Sequence, residues 1–143
     1  MTDAEFARAF ERGEVAPADF DHTAHIRVAW VYLRESASVE TALARMRGAI
    51  QRFAAAAGKS DKYHETITIA WIVLLADARD HHGVDREMQD VLRAHPSLAD
   101  RDLLLRYYSR DRLFGERARR EWMEPDVAPL YCPKGEAPCA FEC

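Results

Sequence analysis

Between Ser38 and Gly58 the chain reads SVETALARMRGAIQRFAAAAG. Val39, Leu43, Met46, Ile50 and Phe53 recur there at alternating spacings of four and three, which draws one apolar stripe along a helix. Ser38 offers a hydroxyl acceptor to a backbone amide at the helix start, and Glu40 suits the positive end of the helix dipole. Gly58 can stop the helix by turning left-handed. The pattern predicts a helix over about residues 39–57, with apolar helical stretches before it at about 19–35 and after it at about 62–79. Three helices joined by short loops run up, down, up, so the first and third begin at the same end of the bundle.

Downstream, VDREMQDVLRAHP repeats Val84, Met88, Val91 and Leu92 at helical spacing and ends at His95, because Pro96 disfavours a helical residue before it. Ser97 and Asp100 resemble a capping box ahead of LADRDLLLRYY, and Ser109 opens RDRLFGERARREW with Gly115 inside it. From Glu124 the chain reads EPDVAPLYCPKGEAPCAFEC, whose prolines at 125, 129, 133 and 138 predict an extended, irregular tail. No alternating strand pattern or internal repeat is visible. The expectation is an all-α, single-domain bundle of about five or six helices over residues 1–124, followed by an irregular tail over 125–143. With 143 residues, 48% apolar and 31% charged, such a chain can bury a core without staples.

A formal charge of −4 provides no basic field to gather phosphates, which argues against nucleic acid or an anionic membrane as the main partner. The longest apolar run, Ile67 to Ala76, is about half the length a bilayer-spanning helix needs. MTDAEFARAFERGE lacks the apolar stretch of a secretory signal, so the expected location is cytoplasmic. AAAAGKS imitates the end of a phosphate-binding loop, but Phe53 stands where the first glycine belongs.

Chemistry concentrates on histidines. DFDHTAHIRVAW places His22 and His25 three apart, within about 60 degrees of each other around a helix, on the arc of Ile26, Ala29 and Leu33. KYHETITIAW places His64 on the arc of Ile67, Thr68 and Trp71, with Glu65 pointing away. Because the first and third helices start at one end, His22, His25 and His64 are expected to converge there. Three neutral imidazoles and one open position suit a catalytic zinc with an activatable water; iron, nickel or copper would also accept them. This predicts a metal-binding protein, with hydrolytic or ligand-transfer chemistry on a small-molecule substrate if it is an enzyme. The alternative is a non-enzymatic partner or small-ligand binding module with structural, buried histidines. A homo-oligomer is also compatible, since the aromatic face around Trp30 and Trp71 could serve a dimer as well as a core.

Around this site Asp21, Tyr63 and Thr68 are candidates for orienting a ligand or water, with helix capping, core packing and back-bonding to residue 64 as their structural alternatives. Asp111, Glu116 and Asp126 are candidate fourth ligands or bases. His81 and His82 fit a solvated turn between helices. The five arginines from Arg110 to Arg120 interleave with acids, as on a salt-bridged surface. Cys132, Cys139 and Cys143 lack a standard zinc or iron–sulfur spacing; they are candidates for a soft metal such as Cu(I) or Zn, or idle thiols.

FDHTAHIRVAWVYL, KYHETITIAW and LLLRYYSRDRLFGERARREWMEPDVAPL together resemble a group of small, uncharacterised bacterial helical proteins, over about residues 18–130. That resemblance carries no activity; it implies that the His22, His25 and His64 pattern is a feature of the group. At the level of chemistry alone, three histidines in a bundle are similar to the DinB-like metal-binding bundles, whose helical histidine spacing differs. The cysteines lie outside the resembling region.

Overall fold

The structure is a computed structural model that describes residues 1–83 and 85–130. Among them are seven α-helices: α1 (Asp3–Glu11), α2 (His22–Glu35), α3 (Val39–Ala56), α4 (Glu65–His82), α5 (Met88–Ala94), α6 (Arg110–Leu113) and α7 (Glu116–Arg120). Short 3₁₀ segments lie at Pro17–Asp19, Ser60–Lys62, Pro96–Ala99 and Arg101–Arg106. The all-α architecture expected from the periodicity is the one observed, with no strand among the described residues. None of their helices is long and apolar enough to cross a membrane.

Helix α2 is the centre of the fold. Val28 through Leu33 are all buried, because α1, α3, α4 and α5 each pack against it. Met46 of α3 and Trp71, Leu74 and Leu75 of α4 complete the same core. The starts of α2 and α3 are capped as their sequences suggest: Asp21 accepts from the Ala24 amide at 2.9 Å and Ser38 from the Thr41 amide at 3.1 Å.

Helix α1 was not anticipated, although its signal is present. Thr2 and Glu5 form a reciprocal capping box, with Thr2 Oγ1 accepting from the Glu5 amide and Glu5 Oε1 from the Thr2 amide. A second exchange ties the chain start to α5. The Glu87 carboxylate accepts from the Asp3 amide at 2.9 Å, while the buried Asp3 carboxylate accepts from the Met88 amide at 2.5 Å and from Arg27 at 2.7 Å.

The later helices depart from expectation. LADRDLLLRYY forms 3₁₀ segments because Asp100 adopts an extended backbone and its side chain restarts the turn at the Asp102 amide. RDRLFGERARREW forms two short helices instead of one. The break falls at Gly115, where an added Cβ would lie 3.0 Å from the Asp111 carbonyl oxygen. His81 and His82 belong to the last turn of α4, which Gly83 ends at φ 79°, and do not form an interhelical turn. Residues 125–130 are irregular, as expected, and so are 121–124, which were expected to belong to the helical bundle; both stretches are bonded to it. Thr66 Oγ1 donates to the Glu121 carbonyl and accepts from the Met123 amide, Tyr108 donates to the Met123 carbonyl, and the Val127 amide donates to the Tyr107 carbonyl. Cys132, Cys139 and Cys143, with their soft-metal expectation, lie outside the described residues.

Candidate functional site

The first turns of α2 and α4 open on one cavity of about 560 Å³, lined on its other sides by Ile50 of α3, the 3₁₀ segment at Arg101–Arg106 and the end of α6. His22, His25 and His64 all line it, so the convergence expected from the up-down-up order is observed. They are not equivalent there. Among the described residues, no three His, Cys, Asp or Glu side chains are placed to hold one metal ion as they stand.

His64 is fully engaged by backbone. It is the N-cap of α4 and not a residue of its first turn: Nδ1 accepts from the Ile67 amide at 3.1 Å, which leaves the proton on Nε2 to donate to the Leu113 carbonyl at 2.8 Å. His22 donates from Nε2 to the Leu98 carbonyl at 2.8 Å, and its neutral Nδ1 keeps a lone pair with no hydrogen-bond partner among the described residues. Its ring lies 4.5 Å from that of Trp71. His25 has no hydrogen bond to either ring nitrogen among the described residues, and its ring meets Phe20 edge-on at 6.2 Å.

All three imidazoles are held neutral at pH 7. Burial lowers the His22 pKa against the raising effect of the Leu98 carbonyl, and burial lowers that of His64 likewise. Burial, with His22 alongside, lowers His25 to about 4. The interior of the cavity is therefore uncharged: Ile50, Ile67, Leu104, Leu105 and Leu113 supply aliphatic wall, and Trp71, Tyr63 and Phe20 supply rings. Charge sits on exposed side chains at the edge, Lys62 and Arg101 against Asp21 and Asp102.

The supporting candidates take their structural roles. Asp21 caps α2, and Thr68 donates back to the His64 carbonyl at 2.8 Å. The Tyr63 hydroxyl donates to Glu65 at 2.6 Å; burial, then that bond, pushes the phenol up to about 12. Glu65 is not a solvated charge, since Arg47 grips both its oxygens at 3.0 and 2.7 Å. Asp111, Glu116 and Asp126 do not line the cavity: Glu116 pairs with Arg119 and Arg120, and Asp126 accepts from the Ser109 amide and hydroxyl. The arginine cluster is the ion-paired surface its spacing suggests, with Arg117 on Glu121 as a further pair.

Sequence reasoning missed the wall contributed by Leu104, Leu105 and Leu113 and the half-exposed Phe114 at the cavity edge, 56% exposed. The apolar run Leu103–Leu105 and the adjacent pair Leu113 and Phe114 are the signal that could have found them. No protein-family model, no curated protein sequence and no solved structure matches this chain.

Proposed function

We propose that this protein binds a small organic molecule in the cavity between the starts of α2 and α4, with His22 and His25 as its polar contacts. The observation that carries the proposal is His25: an imidazole that burial keeps neutral, with no hydrogen-bond partner among the described residues, on the wall of a cavity whose volume falls in the range of ligand sites, about 300 to 1,000 Å³. His25 is only partly buried and lines the cavity, so a guest there can bond to ring nitrogens that meet no protein group among the described residues. The test is a fragment mixture titrated into isotopically labelled protein, with backbone amides followed by NMR. Shifts clustered on His22, His25, Ile67 and Trp71, and abolished by filling the space with Ile67→Trp, support the site. Shifts elsewhere, or unchanged binding in a folded Ile67→Trp, overturn it.

A second reading is a single divalent transition metal on His22, His25 and His64, with zinc first and iron, nickel or copper as alternatives. It is favoured by the three imidazoles sharing one cavity and by the open Nδ1 of His22. To take part, His64 has to release the Ile67 amide from Nδ1, and the Leu113 carbonyl as well where Nε2 is the ligand. Elemental analysis of protein purified without chelator or affinity tag tests it: one metal per chain, lost in both His22→Ala and His64→Ala, supports the ion, and content unchanged by both variants rules it out.

A further inference from the structure

Resting on the small-molecule reading, we infer that the cavity selects a neutral, planar aromatic molecule carrying an O–H or N–H donor. Three features of the cavity define this chemistry. Its walls are rich in flat surfaces: the His22 and Trp71 rings lie 4.5 Å apart, with Tyr63 and Phe20 on the same cavity and Phe114 exposed at its edge. Rings favour offset or edge-on contact with another ring, which an aliphatic guest of the same volume cannot return.

The second feature is the state of the open nitrogens. His22 spends its only N–H on the Leu98 carbonyl, so what it presents at Nδ1 is a lone pair that a guest satisfies only by donating. His25 in its neutral form offers one donor and one acceptor, and thus adds no demand for charge. A carboxylate guest brings acceptors alone and sets them against the His22 lone pair.

The third is the balance of charge. The two helix starts that face the cavity are already capped, α2 by the Asp21 carboxylate and α4 by the His64 ring, so they do not present an empty anion site. At the edge Lys62 and Arg101 are matched by Asp21 and Asp102, leaving no net sign to draw an ion inward. Moving an ionised group past that edge into an uncharged, ring-lined interior carries a desolvation penalty that the single open N–H of His25 offsets only in part.

The experiment compares 2-naphthol, 2-methoxynaphthalene and 2-naphthoate at neutral pH, by NMR titration of the labelled protein and by naphthol fluorescence. The expected result is that 2-naphthol binds at least about tenfold more tightly than either analogue, the discrimination of one well-made hydrogen bond. His22→Phe, which keeps a ring and removes the lone pair, should erase that margin and leave 2-methoxynaphthalene unchanged. Equal binding of 2-naphthol and 2-methoxynaphthalene, or tighter binding of 2-naphthoate, at the cavity amides overturns the donor selectivity while the small-molecule site stands. If all three leave the cavity amides unshifted, while smaller fragments shift them, the selectivity for planar rings falls alone; if the fragments fail as well, both proposals fall.

Discussion

The two ends of α2, about 20 Å apart along a helix rising 1.5 Å per residue, treat their polar groups in opposite ways. At the Glu35 end, charges close on each other: Glu35 accepts from Arg8 at 2.9 Å and Arg45 at 3.2 Å, Tyr32 donates to Glu11 at 2.6 Å, and the Arg45 guanidinium stacks 4.3 Å over the Tyr32 ring. At the His22 end, polar groups bond to distant backbone on one side and face a void on the other. One end spends its hydrogen bonds on holding helices together. The other holds its rings in place and leaves nitrogens without a bond among the described residues, which is the distribution the proposed ligand site requires.

This contrast can be broken from either side. The largest effect is expected from Tyr32→Ala, which removes a buried ring together with its links to Glu11 and Arg45; urea unfolding should report a loss of about 3 to 5 kcal/mol. Next is His64→Ala, which removes the α4 cap and the bond to Leu113 and should lower stability by about 1 to 2 kcal/mol. Tyr32→Phe deletes one hydroxyl and keeps the packing, so about 1 kcal/mol is expected. His25→Leu should be the mildest, within about 0.5 kcal/mol of the parent near pH 8, while abolishing fragment binding at the cavity. A His25→Leu protein as damaged as Tyr32→Ala would mean that the His22 end is as structural as the other.

The ends also separate by pH. Unfolded histidine titrates near 6.5, whereas folded His25 is lowered to about 4, so between these values the unfolded chain binds more protons and stability falls as pH drops. His25→Leu should flatten that part of the stability profile. At the other end burial raises the Glu35 carboxyl, but hydrogen bonds from Arg8 and Arg45 overcome this and bring it below its ordinary value of 4.5; its contribution is present above that pH and is lost only on further acidification. Thermal melts from pH 8 to 3 should therefore show the His25-dependent loss first. Unchanged slopes between pH 6.5 and 4 in His25→Leu would remove the basis for this separation.

Much of the candidate site was legible because it depends on helical phase and connection length. Val39 to Phe53 marked α3, short loops set the order of its neighbours, and that order brought His22, His25 and His64 to one cavity. What each nitrogen does was not legible. The His22 tautomer is set by the Leu98 carbonyl, 76 residues away, and the proton that the Ile67 amide leaves on His64 Nε2 meets the Leu113 carbonyl, 49 residues away; no local pattern reports these distant partners. The 3₁₀ geometry of Arg101–Arg106 was hidden for a related reason, since Leu103, Leu104, Tyr107 and Tyr108 read as an α-helical face until Asp100 is seen to interrupt it. The capping box at Thr2 and Glu5 is present in the sequence, but the charged stretch that follows it carries no long apolar stripe to mark a helix.

The carboxylate exchange between Asp3 and Glu87 also bears on how the molecule forms. Each acid serves an amide at the other's helix start, so one free amide of α1 and one of α5 are satisfied only when the two meet, although more than eighty residues separate them. Closing so long a loop is entropically slow, and contacts of this span tend to form after local ones. The clasp should then be a late event in folding and an early one in opening. In hydrogen exchange, amides of α1 and α5 should open together as one cooperative unit, ahead of α2, and Asp3→Asn should accelerate both.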